Sequence, residues 1–163
     1  MGEPAIDVRL RAGELGAIIG QHGRLYRAEY GLDERFEAYV ASGVAAAVLA
    51  PSWPETRFWL VRDGDRLLGS AAVCPAAEGV GQFRWFLLEP EVRGRGLGRR
   101  LLDDAVAHCR TAGYHRVFLW TIDLLRAAAA LYRGAGFTET ERRPPAAPWG
   151  VTTSEVRYDL VLR

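Results

Sequence analysis

The chain has 163 residues, enough for one sizeable core, so residues 1–163 are expected to form a single domain. Its 21 basic and 20 acidic side chains leave a formal net charge of +1, which argues against a dedicated nucleic-acid surface. Hydrophobic residues make up 49% of the chain and charged residues 25%, fractions typical of globular proteins that disfavour disorder.

The first third of the chain predicts a strand followed by two helices. Residues 6–11 alternate apolar and charged side chains, as an edge strand does. Residues 14–30 carry apolar and aromatic side chains at helical spacing, but three glycines weaken this helix and leave a break in it open. Asp33 predicts the N-cap of a second helix, which should end before Pro51.

The middle of the chain predicts three strands and a helix. Residues 57–62 and 66–74 are apolar runs joined by an Asp-Gly-Asp turn, which is a strong hairpin signal. Residues 81–88 form the next apolar run, closed by a Glu-Pro pair. Residues 97–112 have the apolar spacing of an amphipathic helix, and the glycine after them predicts its end.

The last third predicts a strand, a helix and two more strands. Residues 116–121 are short and β-rich, and residues 124–134 form an alanine-rich helix. A strand restarts at Gly136-Phe137, and a proline-rich loop precedes the final strand at residues 151–162. Helices and strands mixed in this order, without a linker or a repeat, predict one layered α/β fold.

Residues 93–100 read Arg-Gly-Arg-Gly-Leu-Gly-Arg-Arg and lie between a predicted strand and a predicted helix. Glycines let the backbone approach a ligand closely, and N–H groups at a helix N-terminus bind anions. Together with arginines, they predict a phosphate or pyrophosphate site. A Rossmann loop is excluded because its third glycine would fall at Arg99, and a Walker A loop because the chain has no lysine. A glycine-rich turn with solvated arginines is the alternative.

Two motifs carry a resemblance to a known family. Arg93, Gly96 and Gly98 form the pattern Arg-x-x-Gly-x-Gly, which resembles the acyl-CoA pyrophosphate loop of the GCN5-related N-acetyltransferases, the GNAT family. Residues 128–137 resemble the Ala-x-x-x-Tyr-x-x-x-Gly-Phe segment of that family. The resemblance covers essentially the whole chain. It implies an α/β (α+β layered) GNAT fold, with a mixed, mostly antiparallel sheet of about seven strands flanked by about four helices.

Finer details resemble a bacterial subgroup of this family. Residues 22–31 and 119–121 look like a GNAT domain that is often fused behind a MarR-type DNA-binding domain. No helix-turn-helix region is expected before Ile6, so regulation by fusion is not predicted for this chain. Leu125 departs from the family, in which many members carry an asparagine seven residues before the tyrosine of the second motif. An amide contact to pantetheine is therefore not expected there.

The resemblance implies an N-acetyltransferase that moves an acetyl group from acetyl-CoA to a primary amine of a small molecule or protein. Direct attack in a ternary complex is expected. The donor would be held by backbone groups of the loop and its neighbours: Arg93, Gly94, Arg95, Gly96, Leu97, Gly98, Arg99 and Arg100. Phe86, Leu87 and Leu88 would pair with pantetheine like a strand. Tyr132, with an unperturbed pKa of about 10, would be the general acid toward the leaving thiolate, although a core tyrosine is the alternative.

The sequence leaves the general base open. Glu89 follows the central strand and Glu29 lies on the first helix, so both are candidates, with a helix-approach charge and a solvated helix face as the respective alternatives. Asp123 and His22 are weaker candidates, because a lone histidine on an apolar face is usually structural. A chain of water molecules could also deprotonate the amine.

Aromatic and cysteine residues complete the prediction. Trp59, Trp85 and Trp120 are expected in the core or on a sheet face, and Trp53 and Trp149 in loops that could edge an acceptor pocket. Cys74 and Cys109 have no metal-ligand spacing, so no metal is expected, and both should be buried in a reducing cytoplasm.

Several broader expectations accompany these residues. The chain shows no leader or membrane-spanning run, which predicts a cytoplasmic protein without membrane partners. The abundance of arginine and alanine indicates a bacterial source. A homodimer is left open, and the acceptor amine is unidentified. Two competing functions remain. One is a non-catalytic CoA-binding or sensory module on the same fold. The other is a nucleotide or nucleic-acid binder that uses the arginine loop, which the balanced charge disfavours.

Overall fold

The computed structural model describes residues 2–163 and shows, within them, one seven-stranded sheet with four α-helices. The strands are β1 (Ala5–Asp7), β2 (Arg57–Asp63), β3 (Arg66–Ala77), β4 (Val80–Leu88), β5 (Arg116–Ile122), β6 (Thr138–Arg142) and β7 (Glu155–Val161). The helices are α1 (Glu14–Tyr30), α2 (Glu34–Leu49), α3 (Leu97–Thr111) and α4 (Arg126–Gly134). Short 3₁₀ turns at Trp53–Glu55 and Pro90–Val92 precede β2 and α3.

The sheet has the strand order β1-β2-β3-β4-β5-β7-β6. Neighbouring strands are antiparallel, except for the central pair β4 and β5, which is parallel. The predicted fold class, a mixed and mostly antiparallel sheet flanked by helices, is therefore confirmed. The predicted hairpin between β2 and β3 is confirmed as well.

Each face of the sheet has its own hydrophobic core. Helices α1 and α2 cover one face, with Ile18 and Val44 fully buried among the apolar side chains of β2, β3 and β4. Helices α3 and α4 cover the opposite face, where Leu101 and Leu102 are fully buried. Cys74 and Cys109 are free and buried, one in each core, as predicted. Because side chains alternate along a strand, a single sheet can serve both cores.

Helix α1 runs unbroken from Glu14 to Tyr30, so the break left open by its glycines does not occur. The buried face of the helix, which includes Ile18, compensates for the poor helix propensity of glycine. Packing explains why position 23 is a glycine, because a Cβ there would lie 2.6–2.9 Å from the Glu37 side chain of α2. Its missing side chain lets the two helices approach. The predicted N-cap of α2 is confirmed, since the Asp33 side chain accepts a hydrogen bond from the backbone N–H of Arg35 at 3.0 Å.

Several element ends differ from the prediction. Strand β1 stops at Asp7, because the Asp7 carboxylate accepts the backbone N–H of Arg9 at 2.9 Å and turns the chain. The last strand begins at Glu155 instead of residue 151, since the residues before it form only an isolated bridge. Strand β6 starts at Thr138, just after the predicted Gly136-Phe137 restart. These shifts leave the strand order unchanged.

The centre of the sheet is held open between β4 and β5. The two strands pair at only three positions, the last of which joins Gln82 to Phe118. A β-bulge lies just beyond this point, where Trp85 and Phe86 of β4 face the single residue Ala71 of β3. Trp85 has a φ of 49°, in the left-handed region that side chains rarely adopt, and the buried Ser70 hydroxyl donates to its carbonyl at 2.7 Å. The bulge and the parting strands create a cleft.

Candidate active site

The glycine loop forms the start of α3 beside this cleft. Gly94 and Gly96 have φ values of 72° and 78°, and a Cβ added to either would meet nothing within 4 Å. Gly96 is the N-cap of α3 and provides no side-chain cap, so the first N–H groups of the helix are available to a ligand. This open, positively polarised end has the form of the predicted anion site.

The loop arginines differ in their contacts. The Arg93 side chain donates to the Leu88 carbonyl at 2.8 Å and to both oxygens of Glu29 at 2.7 and 2.9 Å. The hydrogen bond to Glu29 raises the pKa of Arg93. Arg99 pairs with an aspartate one turn along α3. The carboxylate pairing of Arg93 directs that side chain toward α1, so it fixes the loop against α1 and β4.

The end of β4 meets the start of α3 through Phe86. A Cβ added to Gly98 would lie 3.4 Å from the Phe86 ring, so the helix begins in contact with a residue that also lines the cleft. Leu87 and Leu88 are buried in the two cores instead. Because β4 and β5 part after Gln82, the backbone edge of β4 that faces β5 has no strand partner there.

The cleft between β4 and β5 encloses about 120 Å³ and joins the two faces of the sheet. Its lining combines aromatic, aliphatic and polar side chains from both strands, from α1, α2 and α4, and from β7 and the loop before it. The residues are His22, Tyr26, Phe36, Tyr39, Val40, Gln82, Phe83, Arg84, Trp85, Phe86, Leu119, Trp120, Thr121, Ile122, Leu125, Tyr132, Trp149 and Glu155.

Tyr132 lies in the cleft on the α4 side and is only 5% exposed. Its ring packs among Phe83, Phe86 and Tyr158, with centroid distances of 5.9–6.5 Å. Burial raises the pKa of Tyr132, and the charge of the Tyr26 phenolate would raise it further. Tyr26 belongs to α1 and its pKa is also raised by burial. Both phenols line the cleft in their protonated form, one from each side of the sheet.

Two polar groups of the cleft have unused hydrogen-bonding capacity. His22 is buried, its Nδ1 is bonded to the Ile18 carbonyl at 2.7 Å, and burial lowers its pKa to about 4. The imidazole is therefore neutral near pH 7, with Nδ1 as the donor and Nε2 as the acceptor. The buried Thr121 hydroxyl oxygen has no hydrogen-bond partner among the described residues. Such an orphaned group in a cleft fits a polar ligand.

The predicted carboxylate bases lie outside the cleft lining. Glu89 is buried beneath α1 and accepts hydrogen bonds from Gln21, at 3.1 Å, and from Arg24. Glu29 is paired with Arg93. Asp123 also lies outside the lining; its carboxylate accepts from the Thr153 hydroxyl at 2.6 Å, which lowers its pKa. None of these three is brought next to Tyr132, and the role of each as a base stays a prediction.

The predictions for the tryptophans differ in outcome. Trp149, expected in a loop that could edge an acceptor pocket, lies in the loop before β7, lines the cleft and is 7% exposed. Trp53 lies against Phe58 and lines a separate surface depression. Trp85 and Trp120, expected in the core or on a sheet face, line the cleft. Sequence reasoning did not select Arg84 and Glu155, because no motif surrounds them and only the pairing of the strands brings them to the cleft.

Two further features concern metals and membranes. Residues 2–163 contain no group of three or more histidine, cysteine, aspartate or glutamate side chains placed to hold a metal ion. Among the described residues, no helix is long and apolar enough to cross a membrane.

Comparisons with known proteins agree with this geometry. A mycothiol acetyltransferase of Geodermatophilus obscurus is 39% identical over 94 residues, which cover 54% of this chain and 30% of that protein. An IAA acetyltransferase of Azospirillum brasilense is 33% identical over 98 residues, covering 60% of this chain and 62% of that protein. The chain thus matches less than two thirds of the length of either relative.

Solved structures share the fold over nearly the full length. An acetyltransferase from Streptococcus agalactiae superposes with a TM-score of 0.79 at 17% identity, covering 98% of both chains. A Salmonella typhimurium structure with its cofactor acetyl-CoA gives a TM-score of 0.72 at 18% identity, covering 99% of this chain and 95% of that chain. The model of the acetyltransferase (GNAT) family matches residues 25–137, well over half of the sequence. The chain therefore belongs to the GNAT family of acetyltransferases.

Proposed function

We propose that this protein is an acetyl-CoA-dependent N-acetyltransferase, which transfers the acetyl group to a primary amine by direct attack in a ternary complex. The observation that carries the proposal is the open cleft between β4 and β5, with the glycine loop at its edge and Tyr132 inside it. An extended thioester can lie between the parted strands, with its phosphates at the helix end.

The residues present fit acetyl-CoA as a bound substrate. The uncapped start of α3 offers N–H groups to the pyrophosphate, and the open space above Gly94 and Gly96 admits it. The unpaired edge of β4 around Phe86 offers backbone groups to the amide-containing pantetheine arm. In this proposal Arg93 holds the loop through Glu29 and Leu88, and the other loop arginines supply positive charge.

The chemistry needs one bond formed and one broken. The amine nitrogen attacks the thioester carbonyl carbon, a C–N bond forms, and the C–S bond breaks to release the CoA thiolate. Its raised pKa keeps the Tyr132 phenol protonated, so the hydroxyl donates a hydrogen bond to the sulfur as negative charge develops there, and its proton passes to the sulfur as the C–S bond breaks. A backbone N–H at the unpaired edge of β4 polarises the carbonyl oxygen.

The nitrogen must also lose a proton. The predicted bases Glu29 and Glu89 are each engaged with an arginine, which favours a role in holding α1 against the loop and the end of β4. The neutral His22 imidazole fits an acceptor for an N–H of the incoming uncharged amine, through Nε2. Its low pKa suits hydrogen bonding better than proton storage. Water therefore takes the proton from the nitrogen in this scheme, and a proton from water restores the Tyr132 phenol after each turnover.

Four further expectations stay predictions: the resemblance to the MarR-fused subgroup, the cytoplasmic location, the bacterial source and the homodimer. A non-catalytic CoA-binding module is the alternative function. The two protonated phenols in the cleft favour catalysis, because binding CoA alone does not require a buried hydroxyl beside the thioester.

Calorimetric titration with acetyl-CoA, followed by thiol release with a panel of amines, tests the proposal. Saturable binding and amine-dependent release of free CoA are expected. Absence of binding at millimolar acetyl-CoA would remove the proposal. Binding without thiol release for any amine would favour the non-catalytic module.

A further inference from the structure

The cleft has a wall on the α2 side that the donor does not need. Arg84 of β4 extends over the Trp85 ring, with its guanidinium carbon 4.5 Å from the ring centroid. The side chain is half-buried and lines the cleft. Its tip passes α2 at Gly43, where an added Cβ would lie 2.5 Å from Arg84 Nη2. The glycine therefore makes room for the guanidinium.

The Arg84 side chain contacts the neutral Cys74 thiol, but no carboxylate of the described residues balances its charge. Among residues 2–163, Arg84 belongs to none of the ion pairs. The cleft contains one carboxylate, Glu155, which is already paired with Arg143 at 3.0 Å. His22 is neutral. A half-buried guanidinium in a low-dielectric cleft gains most from an anion, and its planar fork matches a carboxylate.

The rest of this wall is aromatic. Trp149 contacts Phe36 and Tyr39 with ring centroids 5.2 Å apart in both pairs, and Phe36 stacks on Tyr26 at 4.4 Å. Tyr39 is 50% exposed at the edge of this cluster, although it lines the cleft. Tyr39 is thus the accessible ring of the cluster and offers a stacking or edge contact to an aromatic ligand, while the buried rings behind it hold it in place.

We propose that Arg84 and this aromatic wall form the acceptor subsite, which takes an amine that also carries a carboxylate and an aromatic ring, as an aromatic amino acid does. Arg84 lies two residues before Phe86 on β4, on the other side of the bulge at Trp85, and both residues line the cleft. A carboxylate held by Arg84 and an amine near the thioester can therefore belong to one small molecule. The inference rests on the proposed acetyl transfer and names its acceptor class.

The first test measures thiol release at saturating acetyl-CoA. L-phenylalanine is compared with L-phenylalaninamide, phenethylamine, L-alanine and the aminophosphonate analogue of phenylalanine. The expected kcat/KM for L-phenylalanine exceeds that for the amide about 10- to 100-fold, the usual size of a lost charge-assisted hydrogen bond. L-alanine should be poorer because it leaves the aromatic wall unfilled.

Variants separate the subsite from the fold. Arg84→Gln should bring the ratio of kcat/KM for L-phenylalanine over its amide close to one. Gly43→Ala keeps the arginine but displaces its tip, so the ratio should fall there too. Arg110→Gln, on the exposed last turn of α3, should keep the ratio of the unaltered protein. An unchanged ratio in Arg84→Gln, or equal use of acid and amide by the unaltered protein, overturns the inference.

A binding measurement keeps the inference testable without turnover. The protein is titrated with 3-phenylpropionate, its amide and its phosphonate counterpart in the presence of CoA. Binding is followed by the fluorescence of Trp85 and Trp149, which both line the cleft. The carboxylate should bind about ten-fold more tightly than the amide, and Arg84→Gln should abolish the difference. Tighter phosphonate binding, or no preference, overturns the carboxylate assignment. Acetylation of amines without such a preference leaves the proposed function standing, whereas absence of acetyl-CoA binding in calorimetry defeats that function separately.

Discussion

At the scale of single residues, the position of Tyr132 decides how the cleft can act. The phenol is packed by aromatic rings on several sides, which removes water and raises its pKa. A protonated hydroxyl fixed by its ring cannot move away when a thiolate forms beside it. In the proposed reaction its hydrogen is therefore already placed to stabilise the negative charge that develops on the leaving sulfur, without reorganisation.

Replacing Tyr132 with phenylalanine tests this role. The ring and its packing remain, so folding and acetyl-CoA binding should change little. We expect kcat to fall about 100-fold, the lower end of the range for a general acid, with an unchanged dissociation constant for acetyl-CoA in calorimetry. Tyr114→Phe, in a half-buried tyrosine outside the cleft, is the matched control and should retain full kcat. Normal turnover by Tyr132→Phe would show that another group or water protonates the thiolate.

Substitution of Glu29 tests whether this residue acts as the general base or positions the glycine loop. Its bidentate pair with Arg93 links α1 to the glycine loop, so Glu29→Gln should let the loop move. We expect the KM for acetyl-CoA to rise roughly five-fold, as for an ion pair worth about 1 kcal/mol, with a smaller effect on kcat and the same pH profile. Glu34 is exposed in the first turn of α2 and belongs to none of the ion pairs among residues 2–163, so Glu34→Gln is the control. Turnover slowed by about 100-fold, together with loss of the acidic limb of the pH profile, would instead identify Glu29 as the base.

At the scale of elements, one buried arginine joins three parts of the fold. Arg62 of β2 is 5% exposed and donates to Glu14 at the start of α1, to Asp7 at the end of β1, and to the Arg9 carbonyl. Every bond is 2.6 or 2.7 Å long. Removing one partner of such a buried group leaves the remaining charge poorly compensated.

Glu14→Gln should therefore lower the free energy of unfolding at pH 7 by about 2–3 kcal/mol, less than for an isolated buried pair because Asp7 remains. The hydrogen bond from Arg62 lowers the pKa of Glu14 from its ordinary value of 4.5. The stabilisation is then complete above about pH 4.5 and is lost as the pH falls through the lower pKa of the folded state. Urea unfolding of both proteins between pH 3 and pH 7 measures the difference, which should shrink toward acid pH.

The exposed ion pair of Asp65 and Arg11 supplies a control for this series. The Asp65 side chain is fully exposed and the Arg11 side chain is half exposed. Asp65→Asn should therefore change the free energy of unfolding by less than about 0.5 kcal/mol. A Glu14→Gln effect as small as that, or one that grows toward acid pH, would contradict the buried network.

Sequence patterns predicted the helices and strands better than the side-chain contacts and the strand irregularities within them. The helical spacing around Ile18 outweighed three unfavourable glycines, because α1 gains its stability from tertiary contacts that propensity does not include. The direction of Arg93 could not be predicted, since its partner Glu29 is remote in sequence. The bulge at Trp85 could not be predicted from the sequence either, because it depends on the register between β3 and β4 and on the Ser70 hydroxyl.

Part of the cleft lining could not be predicted from the sequence at all. The glycine loop is a local motif whose function resides largely in its backbone, so eight consecutive residues predicted its place at the start of α3. Arg84 and Glu155, in contrast, come from different strands and carry no local pattern. They meet at the cleft only because β4, β5 and β7 take their places in the sheet.

At the scale of the whole molecule, the sheet is joined weakly at its centre. Strands β1 to β4 and strands β5 to β7 are antiparallel sets, and between them only three residue pairs connect β4 to β5. The parted strands leave backbone groups without a partner across the cleft. A ligand that fills the gap would contact both halves of the sheet and the helix start at once. Binding is thereby coupled to global stability as well as to catalysis.

We therefore expect acetyl-CoA to raise the melting temperature of the protein. At 100 times its dissociation constant, a ligand that binds only the folded state stabilises it by about 2.7 kcal/mol, which corresponds to roughly 5–10 °C for a domain of this size. Differential scanning fluorimetry measures the shift. Gly96→Val is the informative variant: it strains a backbone with φ 78° at an open position and should abolish the shift while the unliganded protein still unfolds cooperatively. A full shift in that variant would mean that the loop does not hold the donor, because the two halves of the sheet would then be bridged without it.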